Sequence, residues 1–187
     1  MSNTTETGTT GLQIHAGTWT VDPAHSRIGF VARHMMVTKV RGSFNEFTAD
    51  VEIAENPLDS TLVAEVQMAS VDTGSADRDG HLRTNDFFDV ESFPTMSLRS
   101  TGFVADGGEI TMHSDLTIKG VTKQVAFEIE FEGVGQDPWG GTRAGFSASA
   151  TVSRGDFGVE FNAPLETGGV LVGDKIQIEL DVQLAKA

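Results

Sequence analysis

Apolar and polar residues alternate along most of the chain from Trp19 onward. The alternation is longest over 125–132, where valine, isoleucine and phenylalanine alternate with alanine and glutamate, and over 175–184, where apolar residues alternate with charged or amide residues. A period of two places one set of side chains on each face of a β-strand. Glycine-rich turns such as 106–108 separate the runs and suit hairpins. The pattern predicts an all-β chain of antiparallel strands, each with one apolar and one wet face.

One segment, residues 73–88, breaks this alternation. It carries Asp77, Arg78, His81 and Leu82 at spacings of three and four, which is the period of a helix. Asp and Ser residues in the segment are available as N-caps, whereas a glycine within it argues against a long helix. The pattern predicts a short helix or two helical turns.

Many strands of similar length in one small domain are typical of a barrel or a sandwich. The inward-facing residues bear on whether such a barrel is filled or hollow. On the run 143–152 the apolar face includes Ala144, Ala148 and Ala150. These small side chains leave open volume unless phenylalanines of other strands occupy it, and a barrel of about eight strands is the size at which either outcome occurs. The pattern alone leaves both a filled core and a lumen open.

Composition adds limits on function. The chain has 187 residues, enough for one domain with a sizeable core, and it has 12 Phe but no Tyr. Lys and Arg total 13 against 27 Asp and Glu, a formal net charge of −14. That balance argues against nucleic acid, whose phosphates require basic side chains, and it disfavours adsorption to anionic membrane surfaces. Cys is absent, which excludes disulfides, thiolate nucleophiles and Cys-ligated zinc.

The first residues differ from the rest of the chain. Residues 1–17 are rich in Thr and Gly and show no amphipathic period, so we expect a flexible N-terminal tail before a single domain over 18–187. The tail shows neither the basic n-region nor the apolar h-region of a secretory signal, which favours a cytoplasmic location. No apolar run in the sequence approaches the roughly 18–20 residues that span a bilayer.

Candidates for catalytic chemistry are few. His34 shares a strand face with Ile28 and Phe30, so it is expected to point inward. His81 lies near two arginines in the helical insert, where these cations either face an anion or form salt bridges with nearby aspartates. No metal-ligand spacing joins the histidines, and neither a G-x-S-x-G elbow nor a nucleophile–base pair is present in the sequence. Local chemistry indicates no enzyme, no metal and no cofactor.

A series of motifs, taken in order, resembles the YceI-like family over about Trp19 to Leu184. Each motif is weak alone, but their shared order makes the resemblance specific. The motifs are WTVDPAHS at 19–26, VRGSF at 40–44, RDGHLR at 78–83 with DFFDV at 86–90, LTIKGVTK at 116–123, RGDFG at 154–158 and VGD at 172–174.

The resemblance implies a lipocalin-like, extended antiparallel eight-stranded β-barrel with a short helical insert near residues 73–88. Its lumen is expected to bind a long-chain polyisoprenoid lipid (a polyprenyl phosphate, a quinone or a precursor) for carriage, storage or sequestration. On this interpretation Asp156 holds Arg154 in place. The implied tunnel-lining residues are Trp19, Phe30, Phe44, Phe47, Phe127, Phe146, Ala148 and Ala150. The implied polar groups at the mouth or head group are His34, Arg78, His81, Arg83 and Arg154.

Several questions stay open on the sequence. Many members of the family begin with a secretory signal, which this chain does not show, and the loop over 157–169 is a candidate cover for the barrel mouth. One alternative is a barrel enzyme acting on an apolar substrate, with His34 or His81 as general base. Another is a stress-related interaction module with a filled core. The oligomeric state is also open, a homodimer included.

Overall fold

A computed structural model gives the structure of the chain, and it describes residues 12–187. Within that range β-strands dominate and α1 (Ala76–Arg83) is the one α-helix. Short 3-10 turns occupy Pro23–His25, Pro57–Asp59, Met68–Ser70 and Arg154–Phe157. The strands are β1 (Gly17–Val21), β2 (Arg27–His34), β3 (Thr38–Phe44), β4 (Phe47–Ile53), β5 (Thr61–Gln67), β6 (Val71–Asp72), β7 (Thr95–Asp106), β8 (Glu109–Ile118), β9 (Val121–Gln136), β10 (Thr142–Ser153) and β11 (Lys175–Lys186).

Eight of the described strands close into an antiparallel barrel. Their order is β1-β4-β5-β7-β8-β9-β10-β11, and β1 pairs with β11 to complete the ring. In this register Trp19 lies opposite Val51 on one side and Lys186 on the other. The eight-stranded antiparallel barrel expected from the sequence is therefore confirmed.

The remaining strands, β2, β3 and β6, lengthen the wall at one end. After β1 the chain makes a 3-10 turn capped by Asp22, whose carboxylate accepts the Ala24 N–H at 3.0 Å. It then continues as β2, which pairs with β11 as β1 does. β3 pairs with β2 on one side and with β6 on the other. We call the end at which β2 finishes and β11 begins the mouth, and the opposite end the far end.

The helical insert lies at the mouth, between β6 and β7. Its helix begins after Ser75, whose hydroxyl accepts the Arg78 N–H at 3.4 Å. Asp79 is buried in the first turn, where it accepts the Thr73 N–H at 2.9 Å and the Thr73 hydroxyl at 2.5 Å. A short helix within 73–88 was expected, and α1 confirms it.

Trp19 packs near the far end. Its ring is fully buried and packs with Val51, Ala144 and Leu184, while its indole N–H donates to the His15 carbonyl at 3.0 Å. Most of the expected N-terminal tail, residues 1–11, lies outside the described residues.

Candidate functional site

An apolar cavity of about 220 Å³ lies inside the barrel on the mouth side. Side chains from nearly every wall strand line it, and Leu82, Phe87 and Phe88 of the helical insert close it from the side. Among the lining residues that the structure describes, Arg154 is the one charged group. A cavity with almost no polar lining suits a hydrocarbon ligand, because a polar ligand would leave its hydrogen-bonding groups unpaired there.

A second apolar cavity, of about 120 Å³, lies toward the far end. Leu12 and Ile14, which precede the first strand, contribute to its lining, as does Phe103. The two cavities are neighbours, since the same side chains line both. The shared lining residues are Val51, Leu62, Leu98, Leu180, Val182 and Leu184. The two cavities therefore adjoin along this apolar belt and together form an elongated apolar interior, which the filled-core alternative does not describe.

Small residues set the width of the lumen. Ala49 and Ala64 lie opposite each other on β4 and β5, and both line the mouth-side cavity. Gly42 lies opposite Phe30, and a Cβ at Gly42 would stand only 2.3 Å from the tip of the Phe30 ring. Glycine at position 42 thus allows the ring to lie against the wall.

Residues 154–173, which we call the cover segment, lie over part of the mouth and are organised by Arg154. Its Nε donates to the Gly173 carbonyl at 2.9 Å, and Nη1 donates to the carbonyls of Val159 and Phe161 at 2.8 and 2.9 Å. Nη2 donates to the Val172 carbonyl at 3.2 Å. Four backbone carbonyls thus take up four of the five guanidinium N–H groups. Arg154 primarily positions this segment, which includes the loop expected to cover the mouth.

The structure does not show the pairing of Asp156 with Arg154 that the sequence led us to expect. Asp156 is exposed, and no hydrogen bond or ion pair joins it to Arg154 within the described part of the chain. Asp174 is the nearby acid instead. The Ser153 hydroxyl, followed by the Gly155 N–H, lowers the pKa of Asp174, whereas burial lowers the pKa of Arg154. The expected role of Asp156 is therefore wrong, because Asp156 lies on the outer side of the turn and backbone carbonyls hold the guanidinium.

His81 joins the helix to the cover segment. Its ring lies edge-on to Phe87 and to Phe161, with 5.0 Å between centroids in each case. Its Nε2 lies 2.8 Å from Asp86 Oδ2. This arrangement pairs His81 with Asp86 through a side-chain hydrogen bond, and it leaves the imidazole outside the lining of both cavities.

The other expected mouth cations also contact the protein itself. Arg78 donates to the hydroxyl and carbonyl of Thr73 at 2.7 and 2.8 Å. Arg83 donates to the carbonyls of Ala69 and Val71 at 3.0 and 3.2 Å. Arg83 thus holds the helical insert against the 3-10 turn and strand before it, whereas Arg78 ties α1 to the first residue of the insert.

His34 differs from its expected inward orientation. It is exposed and lines neither cavity, because β2 has passed the rim of the barrel by this residue. Its backbone forms a bridge with Val172 of the cover segment. Since neither His34 nor His81 reaches the lumen, the structure offers no inward histidine at these positions to act as a general base on a lumen ligand.

The expected tunnel-lining residues fall into groups. Phe30, Phe44, Phe47 and Phe127 line the mouth-side cavity. Phe146 and Ala148 line the far cavity. The predicted lining is wrong for Trp19 and Ala150, since both side chains are buried and neither lines a cavity.

Sequence reasoning missed other lining residues. Ala49 and Ala64 were not singled out, although strand alternation placed Ala64 on an apolar face. Phe87, Phe157 and Val159 enter the lining from segments outside the regular strands, where no period of two marks the inward side.

The comparisons with known proteins agree with this architecture. A family model described as the YceI-like domain matches residues 19–184. The chain belongs to the YceI-like family. A UPF0312 protein of Staphylococcus epidermidis is 38% identical over 166 residues, which cover 88% of this chain and 95% of the relative.

Solved structures share the YceI-like barrel. BcnA of Burkholderia cenocepacia has a TM-score of 0.74 at 22% identity, covering 87% of this chain and 98% of BcnA. A polyisoprenoid binding domain from Saccharophagus degradans, implicated in plant cell wall breakdown, has a TM-score of 0.70 at 12% identity and covers 90% of this chain and 98% of that domain. At these identities the likeness shows the fold. In the part of the chain that the structure describes, no helix has the length and hydropathy to span a membrane.

Proposed function

We propose that this YceI-like barrel binds a long-chain isoprenoid lipid in its lumen, for carriage, storage or sequestration. The observation that carries the proposal is the elongated lumen, which is lined mostly by apolar side chains along both cavities and by one charged group at the mouth. The structural neighbour named as a polyisoprenoid binding domain supports this class of ligand. A polyprenyl phosphate, a quinone or a quinone precursor each has a tail of this kind.

The tail supplies the affinity on this proposal. Burial of apolar groups contributes about 0.8 kcal/mol per CH₂, so a tail of about 40 carbons gains roughly 30 kcal/mol before costs. That exceeds the ceiling of about 18–21 kcal/mol for noncovalent binding. Ordering of the flexible tail must therefore cancel much of the gain. Since four of the five N–H groups of Arg154 are donated to carbonyls, the head group adds selectivity more than affinity.

The direct test is extraction of the purified protein with organic solvent, followed by mass spectrometry. We expect an isoprenoid lipid at about one molecule per chain, or stoichiometric reloading when the stripped protein is mixed with polyprenyl phosphate or a long-chain quinone. A protein that yields no lipid and takes up none of these ligands would contradict the proposal.

Ala64→Trp is the sharpest variant for this test. The new side chain enters the mouth-side cavity, which is only about 220 Å³, so lipid occupancy should fall at least about tenfold. Ala126→Trp is the matched control, because Ala126 is exposed on the outer face of β9. Circular dichroism and thermal melting establish that both variants fold. Equal lipid occupancy in the two folded variants would rule out the lumen as the binding site.

A further inference from the structure

The hairpin between β2 and β3 presents apolar side chains to solvent at the mouth. Met35, Met36 and Val37 are 44%, 58% and 76% exposed, and Val170 of the adjoining cover segment is 38% exposed. We call these four residues the hairpin patch. Adjacent large apolar side chains on a surface are typical of a binding site rather than of an ordinary exterior.

The two central residues of the hairpin turn are of a type that seldom adopts the backbone conformation found there. Met35 and Met36 have φ values of 54° and 61°, and the Val37 N–H donates to the His34 carbonyl at 3.1 Å. A hairpin turn with positive φ at both central residues favours Asn and Gly, which adopt this conformation at little cost. Two methionines there expose apolar surface and strain the backbone. Local folding therefore does not explain the choice of residues, which points to a functional role.

The same hairpin is basic within a strongly acidic chain. Residues 23–45 contain no Asp or Glu, although the net charge of the chain is −14. Arg33 and Lys39 lie directly opposite each other on β2 and β3, and Arg41 follows two residues later on β3. Like charges at opposed positions repel. Within residues 12–187 none of these three side chains forms an ion pair, so their charges remain available to an external anion.

The hairpin patch adjoins the lumen. Ala32 lines the mouth-side cavity and lies three residues before Met35, or about 10 Å along the strand. The Met35 N–H donates to the Leu171 carbonyl at 2.8 Å, which ties the hairpin to the cover segment. Any surface that contacts the hairpin patch is thus close to the barrel mouth.

We propose that the hairpin patch docks the mouth onto an anionic lipid bilayer. The methionines and the valines enter the boundary between head groups and acyl chains, and Arg33, Lys39 and Arg41 contact lipid phosphates. Docking would bring the mouth to the bilayer surface, so that a lipid could pass between bilayer and lumen. This use of the hairpin patch rests on the proposed function. Methionine suits such a surface, since its flexible thioether side chain adapts to irregular apolar surroundings.

The net charge of the chain does not prevent this contact. Charges more than about 8 Å away are largely screened at physiological ionic strength, so the charges near the hairpin govern the approach. There Arg33, Lys39 and Arg41 outnumber Glu166 of the adjoining cover segment. The helical side of the mouth carries Asp77, Asp86 and Asp89. The barrel therefore approaches with the hairpin toward the bilayer and the helix tilted away.

The test is cosedimentation of the full chain with vesicles. Vesicles of phosphatidylglycerol and phosphatidylcholine should bind the protein at physiological ionic strength, where the net charge of the chain is screened, and vesicles of phosphatidylcholine alone should bind it much less. Salt at about 1 M should release the protein from the anionic vesicles.

The combined variant Met35→Asn, Met36→Gly and Val37→Ser should lose at least about tenfold in vesicle affinity. The new turn residues favour positive φ, so this variant should fold at least as well as the original chain.

Trp139→Ser provides the matched control. Trp139 is 89% exposed, but it follows β9 at the far end of the barrel. Its substitution should leave vesicle binding unchanged. A Val37→Trp reporter in a Trp139→Phe background should show blue-shifted emission on anionic vesicles, as the indole leaves water.

Three outcomes would overturn the docking proposal. These are absence of binding to the anionic vesicles, retention of binding by the hairpin variant, and equal loss in Trp139→Ser. A hairpin variant that changed only the sedimentation coefficient of the free protein would assign the hairpin patch to a second copy of the chain. Vesicle docking by Ala64→Trp separates the two proposals, since that variant blocks the lumen and leaves the hairpin intact.

Discussion

At the scale of single residues, Arg143 ties together segments that are far apart in sequence. Its Nη1 lies 3.2 Å from Asp22 Oδ2, and its Nε lies 3.0 Å from Asp137 Oδ2. A hydrogen bond with His25, followed by contacts with the Ala24 N–H and with Arg143, lowers the pKa of Asp22. The Gly141 N–H and Arg143 lower the pKa of Asp137. Both carboxylates therefore stabilise the far end of the barrel in their charged form.

This network predicts a pH-dependent stability. A carboxyl group whose pKa is lowered by folding contributes stability above its unfolded pKa, near 4, and loses that contribution as the pH falls through the folded pKa. Asp22→Asn should therefore destabilise the protein at pH 7 by no more than about 1 kcal/mol, because solvent screens the ion pair. That corresponds to a decrease of about 2–4 °C in Tm.

Thermal melts of Asp22→Asn and the original chain, recorded from pH 7 down to about pH 3, measure this effect. The difference in Tm should be constant above about pH 5 and should shrink below pH 4. Asp50→Asn is the control, since Asp50 is exposed and is not part of the Arg143 network. A difference in Tm that grew as the pH fell would contradict the assignment.

The residues that line the lumen could be predicted from the sequence where strand alternation is regular. Phe30, Phe47 and Phe127 line the lumen because each lies on the inward face of a strand. Trp19 has the same alternation, but the far end of the barrel is closed around it and leaves no space beside its ring. Alternation gives the direction of a side chain and not the distance to its neighbours across the barrel, so it could not separate Trp19 from the lining.

At the scale of elements, the strands and the helix could be predicted from the local spacing of apolar residues, whereas the structure of the cover segment could not. Runs with a period of two became β9 and β11, and the segment with helical spacing contains α1. Residues 158–173 have no long regular strand or helix, and their order depends on the carbonyls that Arg154 holds. Such contacts join residues up to 19 positions apart, which no local period can show.

Arg154→Lys tests whether this side chain controls the cover segment. A lysine ammonium has three donors on a flexible stem, so it cannot reproduce the planar arrangement of guanidinium contacts. We expect the amides of 159–173 to exchange with deuterium about tenfold faster or more, while the amides of β9 keep their protection. Loss of bound lipid to acceptor vesicles should also accelerate.

Arg99→Lys is the matched control for this measurement, because Arg99 is exposed on the outer face of β7. It should alter neither exchange nor lipid release. If Arg154→Lys left exchange of the cover segment unchanged, the carbonyl contacts would not be what orders it. Faster exchange throughout β9 as well would indicate general destabilisation instead of a local effect.

At the scale of the whole molecule, the lumen has two parts that impose different demands on a ligand. The mouth-side cavity is the larger, at about 220 Å³, and the far cavity of about 120 Å³ lies beyond the shared apolar belt. A tail that enters at the mouth reaches the far cavity only if it is long enough to pass the belt. On the proposed function, the far cavity therefore sets the longest tail that the barrel can accept.

Ala148→Trp should shorten that limit without abolishing binding. Ala148 lines the far cavity and not the mouth-side cavity, so a tryptophan there fills the far space and leaves the first part of the lumen open. Binding of a series of polyprenyl ligands of increasing length, measured by competition, should show an unchanged affinity for the shortest. The longest ligands should lose about tenfold or more in affinity.

Ala64→Trp should instead weaken the binding of every member of the series, because it narrows the mouth-side cavity that all tails must cross. If Ala148→Trp weakened all lengths equally, the two cavities would not be filled in order from the mouth, and the path of the tail through the barrel would have to be different.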